Sequence, residues 1–264
     1  MSDLLAGKTA LILGVANKWS LAYAIAQAFV REGGKLVLTY QGDRQRGTVQ
    51  DLANELAPDS AVLACDVTIQ QELDNVANTL RASHTTLDTL VHSIAFANRE
   101  DLSQPFVQTS RDGYLLAQEV SAYSLVAISR AFSPLMVDGG SILTLSYLGA
   151  VRVIPNYNVM GVAKAALEAS VRYLAYDLGP SNIRVNAISA GPVKTASARA
   201  VKDFSKMLDG VAAHSPLRRN ADPAEVADTA VFLASNLGRG VTGNVIYVDA
   251  GYQIMGLPSS GQPG

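Results

Sequence analysis

Thr9-Ala10-Leu11-Ile12-Leu13-Gly14-Val15-Ala16-Asn17-Lys18-Trp19-Ser20-Leu21 reads as a short apolar strand, a glycine turn and the start of a helix. Gly14 follows the strand directly, where a tight turn and close backbone approach favour a residue without Cβ. Ser20 stands where it can cap the next helix or donate to a phosphate oxygen, and Leu21 opens that helix. Sheets of parallel strands bind ligands at this kind of junction, with a pyrophosphate at the first helix N-terminus. The GxGxxG pattern is absent, so capping alone explains the stretch equally well.

The rest of the chain repeats the same alternation. Aliphatic runs near Thr9 to Leu13, Leu36 to Thr39, Ala61 to Ala64, Thr89 to His92, Ser141 to Leu145, Arg184 to Ile188 and Asn244 to Val248 read as strands. Helical patterns fill Ser20 to Glu32, Arg44 to Leu56, Gln70 to Ala82, Arg111 to Met136, Asn158 to Leu178, Lys202 to Ala213 and Pro223 to Ala234. Right-handed crossovers wind these into an α/β fold. The expectation is a single-domain, Rossmann-like, doubly wound parallel sheet of about seven strands over residues 1–256, with helices on both faces. Residues 257–264, rich in Gly, Pro and Ser, are expected to form a loose tail. The stretch Asn158 to Leu178 is apolar over more than one face. One face covers the sheet; the other needs an element of the same subunit or, the favoured reading, a helix of another copy.

Composition narrows the function. Of 264 residues, 48% are hydrophobic and 17% charged, with a net charge of −2, so broad nucleic-acid or membrane-surface binding is not expected. No apolar run reaches the ~18 residues of a membrane span. Cys65 is the single cysteine, which fits a reducing compartment, and Met1 to Lys8 lacks the apolar stretch of a signal peptide. A cytoplasmic protein is expected, or a stromal one if the chain comes from a plastid. His84, His92 and His214 show no metal-ligand spacing, so no metal site is expected.

Further along the expected upper rim of the sheet stand residues suited to a dinucleotide. Asp66 in Cys65-Asp66-Val67 can accept from an adenine amino group or simply cap a turn. In His92-Ser93-Ile94-Ala95, small side chains would let a nucleotide lie against the backbone, although packing explains Ala95 as well. After the second strand come the neutral Gln41 and Gly42 and the acidic Asp43, which suit NAD; Arg44 and Arg46 just beyond keep NADP open as the alternative. The Pro-Gly break in Gly191-Pro192-Val193-Lys194-Thr195 leaves backbone groups free for a carboxamide, with Thr195 in reach of the pyrophosphate; an ordinary loop is the other reading. Tyr157 and Lys164 lie seven residues apart, which on a helix returns both to one face with an offset of roughly 10 Å.

As a colinear set, Gly14-x5-Ser20-x-Ala22, Cys65-Asp66-Val67, Ser146-Tyr147, Tyr157-x6-Lys164 and Asn186-Ala187-Ile188-Ser189-Ala190-Gly191-Pro192 resemble the enoyl-acyl-carrier-protein reductases of the bacterial and plastid fatty-acid pathway, a divergent branch of the short-chain dehydrogenases. The resemblance covers residues 4–256 and is strongest over Ile154 to Gly161. Ordinary short-chain dehydrogenases keep a tyrosine one turn before the lysine, where this chain has Met160. The resemblance implies reduction of a trans-2-enoyl thioester by hydride from NADH. Tyr157 would donate to the thioester carbonyl, Lys164 would hold the nicotinamide ribose, and Tyr147 would take a supporting role. It further implies cofactor contacts at Gly14, Ser20, Leu21, Gln41, Asp66, Val67, Ser93, Ile94, Ala95, Lys164, Pro192, Val193 and Thr195. Acyl contacts would come from Ala97, Tyr147, Tyr157, Met160, Val201 and Phe204. Ser146 falls near the ordinary catalytic serine, where a strand-end hydrogen bond is equally open. A lid is expected at about 196–213, with Arg199, Lys202 and Lys206 as either a basic stripe for acyl carrier protein or a plain solvated face. A homotetramer is implied as well. A carbonyl reductase and a catalytically silent dinucleotide-sensing module are the competing readings.

Overall fold

The computed structural model describes residues 3–193 and 204–256, with Phe204 described in its backbone alone. Its centre is a seven-stranded, wholly parallel sheet: β1 (Thr9–Leu13), β2 (Lys35–Tyr40), β3 (Ala61–Ala64), β4 (Thr89–His92), β5 (Gly140–Ser146), β6 (Ile183–Ala190) and β7 (Val245–Val248). The strands lie in the order β3-β2-β1-β4-β5-β6-β7, so the chain reverses its direction of travel between β1 and β4. Ile12 there pairs with Leu38 on one side and Val91 on the other. At such a switch point the crossovers diverge and leave a crevice at the carboxyl ends of the strands.

Alternation along each strand divides the core into two layers. Ala10, Ile12, Leu36, Leu38, Leu143 and Ile188 face α1 (Leu21–Arg31), α2 (Asp43–Leu56) and, near the C-terminus, Pro223–Ala234. Leu11, Leu13, Val37, Leu90, Ile142 and Val185 face α3 (Gln70–Ala82) and the helices that follow β4 and β5. Strands covered on both faces need apolar residues at nearly every position, and β4 is buried throughout.

After β4 the chain forms a short α4 (Arg99–Ser103), then α5 (Arg111–Gln118), a π-turn at Glu119–Tyr123 and α6 (Ser124–Phe132). The sequence pattern predicts one helix to Met136. Instead it is widened at the π-turn and ends as a 3-10 turn at Ser133–Leu135, where Pro134 has no N–H to continue an α ladder. The five-residue α4 is too short to show periodicity. The helix α7 (Asn158–Leu178) covers β5 and β6 and also packs on α5, α6 and the π-turn. Its second apolar face therefore has partners in the same subunit, while Tyr173 and Tyr176 stay 75% and 83% exposed.

The remaining helices are α8 (Phe204–His214) and α9 (Pro223–Ala234); Asp222 and Glu225 form a capping box at the start of α9. Residues 196–203 of the expected lid, with Arg199, Val201 and Lys202, together with Thr195, the Phe204 side chain and the expected tail, lie outside the described residues. Among the described residues no helix is long and apolar enough to cross a membrane.

Candidate active site

The crevice at the switch point gathers most of the residues expected to hold a dinucleotide. Gly14, Gln41, Asp66, Val67, Ser93, Ile94 and Ala95 line it together, joined by Thr39, Gln45, Cys65 and Val120. Gly14 has φ +104°, and a Cβ there would run into the Ser93 carbonyl oxygen, so the turn after β1 and its contact with β4 both require glycine. Burial pulls the Asp66 carboxyl pKa up, but hydrogen bonds from Gln41 Nε2 (2.8 Å) and from the Thr68 hydroxyl and N–H outweigh it, leaving the pKa below its ordinary value. An ionised acceptor, a glycine turn and a small-residue wall suit an adenine nucleotide.

Ser20, Leu21, Pro192 and Val193, also expected at the cofactor, stand outside that lining. Ser20 accepts from Tyr23 N–H at 3.2 Å and donates to the Asn17 carbonyl at 2.8 Å. It is the N-cap of α1 and borders a separate groove between α1 and α9. Leu21 packs against the core layer beneath α1. Pro192 and Val193 are buried in the loop after β6, farther along the same rim. Cys65 is 3% exposed, and burial pushes its thiol pKa to about 12, so it is a wall and no nucleophile.

The segment after β4 is clamped by the π-turn. Ser121 Oγ accepts from Phe96 N–H at 2.9 Å and donates to the Phe96 carbonyl at 3.0 Å, which fixes Ala95 and Ala97 on either side. Below it, His92 is fully buried between Thr144 Oγ1 and Ser124 Oγ, each at 2.8 Å. Ser124 donates to the Val120 carbonyl at 2.7 Å, so it accepts from His92 Nε2, and Thr144 donates to Nδ1. That arrangement holds the neutral ring, and burial takes its pKa down to about 3.

Tyr157 is the residue before the first turn of α7, between Asn156 and Asn158 with φ of 62° and 36°. Asparagine tolerates this left-handed region better than most residues. Asn158 Nδ2 ties the turn to the Leu102 and Gln104 carbonyls at 3.1 and 2.6 Å. The Tyr157 ring meets the Tyr147 ring edge to face, with centroids 4.9 Å apart. Burial raises the Tyr157 phenol pKa well above its ordinary value and takes that of Tyr147 up to about 12, so both are neutral donors.

Lys164, two turns into α7, is 6% exposed and donates from Nζ to the Leu145 carbonyl at 2.6 Å; burial lowers its pKa to about 8. Ser146 donates to Glu168 Oε1 at 2.5 Å, which settles it as a strand-end hydrogen bond. Met160 and Ala97 pack with Tyr157, Val159, Ala163 and Leu102 in one small apolar cluster. A neighbouring cleft runs from Tyr147 past Ile154, Pro155, Met207, Val211 and Tyr252. Sequence reasoning missed Met207, although it lies one turn along α8 from Phe204, and it missed Tyr252, which nothing in the local pattern marks.

A parallel sheet with a nucleotide crevice at its switch point, and a buried phenol and ammonium on one helix beside it, defines a dinucleotide-dependent oxidoreductase of the short-chain kind. The family model described as enoyl-(acyl carrier protein) reductase matches residues 14–253, and the chain belongs to that family. It is 54% identical over 255 residues to the enoyl-acyl-carrier-protein reductase (NADH) FabI of Bacillus cereus, covering 96% of this chain and 100% of that one. Identity to the Escherichia coli enzyme of the same description is 46%, covering 96% and 97%. The solved B. cereus reductase with NADP+ and an indole naphthyridinone superposes with a TM-score of 0.95 at 54% identity, covering 97% of this chain and 100% of that one. The Anaplasma phagocytophilum reductase in complex with NAD gives 0.94 at 44% identity, covering 100% and 98%.

Proposed function

We propose that this chain reduces the trans-2 double bond of enoyl thioesters carried on acyl carrier protein, with NADH as reductant, in the elongation cycle of type II fatty acid biosynthesis. The observation that carries this reading is the pair Tyr157 and Lys164 on α7, with Met160 buried one turn before the lysine. When bound, the reduced nicotinamide supplies the hydride that adds at C3 of the enoyl group. Reduction at C3 places negative charge on the thioester oxygen, and a positioned donor is needed there. The Tyr157 hydroxyl is that donor, since burial keeps it protonated. Lys164 holds the ribose through the ammonium hydrogens that Leu145 leaves free and adds positive charge near the developing anion. Tyr147 steadies the Tyr157 ring and, with Met207, lines the acyl path. Gly14, Asp66, Ser93 and Ala95 bear the nucleotide end.

The acyl carrier protein is an acidic partner in this reading, and the helical spacing of Arg199, Lys202 and Lys206 in the sequence supports a basic landing stripe for it, with 196–213 as the lid. A homotetramer is supported by the large exposed side chains Tyr114, Leu115, Tyr123, Tyr173 and Tyr176 on α5 to α7. A cytoplasmic setting is supported by a single, buried, unpaired cysteine.

The test is a steady-state assay with crotonyl thioester, run with NADH and with NADPH, beside a 3-keto thioester. Consumption of NADH with the enoyl substrate and none with the keto substrate is expected. Preferential turnover of the keto substrate would replace this reading by a carbonyl reductase.

A further inference from the structure

Lys164 is an ammonium taken out of water, and burial of such a group without an opposing charge is strongly unfavourable. Its ammonium donates to a neutral carbonyl, that of Leu145. One helical turn further along α7 stands Glu168, also 6% exposed, on the side of the helix that faces the end of β5. The carboxylate is fixed by the Ser146 hydroxyl, and Ser146 immediately precedes Tyr147. Nothing in the proposed chemistry employs Glu168. We propose that Glu168, held by Ser146, is a positioning residue: it is the counter-charge that keeps the Lys164 ammonium charged and aimed into the crevice, and through it sets the affinity for NADH.

The surroundings are consistent with that division of labour. Groups acting on Glu168 are Ser146 from β5, Lys164 and Arg172 from α7, and Tyr247 from β7. Lys164 is opposed by Glu168, while His92 on β4 is held neutral and adds no charge. Burial pushes the Glu168 pKa up and the Lys164 pKa down, and each charge favours the other. Ser146 stands near the place of a catalytic serine, yet its hydroxyl donates its hydrogen bond to Glu168; its contribution is to hold the carboxylate on the lysine's side of α7. The inference rests on Lys164 as the ribose-binding group.

The experiment titrates full-length wild-type, Glu168→Gln, Ser146→Ala and Lys164→Ala proteins with NADH by fluorescence from pH 6 to 9.5, and measures kcat and KM with crotonyl thioester. In the wild type, affinity is expected to fall as pH rises through the Lys164 pKa of about 8. Glu168→Gln keeps the shape and an acceptor for Ser146 but no charge. Its midpoint should move at least about one pH unit lower, which weakens NADH binding about fivefold at pH 8 and about tenfold by pH 9.5. The loss should be concentrated in KM for NADH, with kcat at pH 6 reduced less, and Glu168→Asp should restore part of the affinity. Ser146→Ala should shift the midpoint in the same direction by less, and it decides the matter if Glu168→Gln fails to fold. Coincident wild-type and Glu168→Gln profiles, with Lys164→Ala losing affinity, would overturn the role of Glu168 alone. Undiminished NADH binding by Lys164→Ala would overturn the ribose assignment and this inference with it.

Discussion

The rings of Tyr147 and Tyr157 meet at 68° with centroids 4.9 Å apart, although one follows a strand and the other begins a helix. An edge-to-face pair fixes ring orientation as well as position. The Tyr157 hydroxyl is thereby aimed by a second aromatic residue, and burial keeps it from ionising. Removing the hydroxyl while keeping the ring isolates its chemical role. Tyr157→Phe is expected to fold with unchanged circular dichroism and to lose about a hundredfold in kcat with crotonyl thioester. Turnover within twofold of wild type would deny the hydroxyl its assigned function.

The ring is also confined from the side of the β5–α7 connection. A Cβ on Gly149 would overlap Tyr157 Cδ1 and approach Cε1 at 2.7 Å, and one on Gly161 would meet the Gly149 carbonyl oxygen at 2.8 Å. Two glycines thus let the connection lie flat on the phenol. Gly149→Ala must displace either the backbone turn or the ring, so kcat/KM should fall at least about tenfold, in keeping with the cost of misplacing a reacting group. Gly47→Ala is the control, because nothing lies within 4 Å of that Cβ on α2. It should leave turnover alone and stabilise the protein by about 0.5–1 kcal/mol in chemical unfolding, as alanine replaces glycine in a helix.

Much of this arrangement is legible in the chain, and the reasons are local. Gln70–Ala82, Asn158–Leu178 and Pro223–Ala234 match their expected bounds residue for residue, and so do Ala61–Ala64 and Thr89–His92. Buried parallel strands must be continuously apolar, and polar or glycine-bearing turns delimit them. The residues that line the crevice are legible for the same reason, since they follow strand ends. Ser20 reads both ways because one hydroxyl suits a cap and a phosphate alike, and the Tyr23 and Asn17 contacts show the capping role. What could not be read is tertiary. Ser146 finds Glu168 from another element, Ser121 finds Phe96 across a π-turn, and Met207 approaches Tyr147 only because α8 folds over the β5 end. None of these pairs has a sequence period to betray it.

His92 makes acid stability a test of the buried polar network. Its pKa in the folded protein is about 3, against an ordinary value of 6.5. Between these limits the unfolded chain binds a proton that the native ring refuses, so stability falls as pH is lowered below 6.5 and the loss is complete near 3. The slope is about 1.4 kcal/mol per pH unit in that window. His92→Asn removes the titrating ring and should flatten the dependence of urea-unfolding free energy between pH 6.5 and 5 by about that slope. An equal slope in both proteins would mean that the ring is protonated in the native state.

The last question is how the crevice distinguishes a ribose hydroxyl from a 2′-phosphate. Arg44 and Arg46 lie exposed at the start of α2, close enough in sequence to attract a phosphate. The end of β2, however, is already occupied by the chain's own amides. Gln45 Oε1 accepts from the Gln41 N–H at 3.1 Å, and Gln41 Nε2 is committed to Asp66 Oδ2 at 2.8 Å. A phosphate entering there must displace the Gln45 carbonyl oxygen and approach the ionised Asp66. Removing the Gln45 side chain frees the N–H and opens space beside both arginines. Gln45→Ala is therefore expected to raise kcat/KM for NADPH relative to NADH about tenfold, one hydrogen bond to a charged group being worth about 1.5–3 kcal/mol. Gln41→Arg in the same background should raise the ratio again, because it adds a cation and releases Asp66 from its amide partner. If neither substitution moves the ratio, the discrimination lies elsewhere than in the amides at the end of β2.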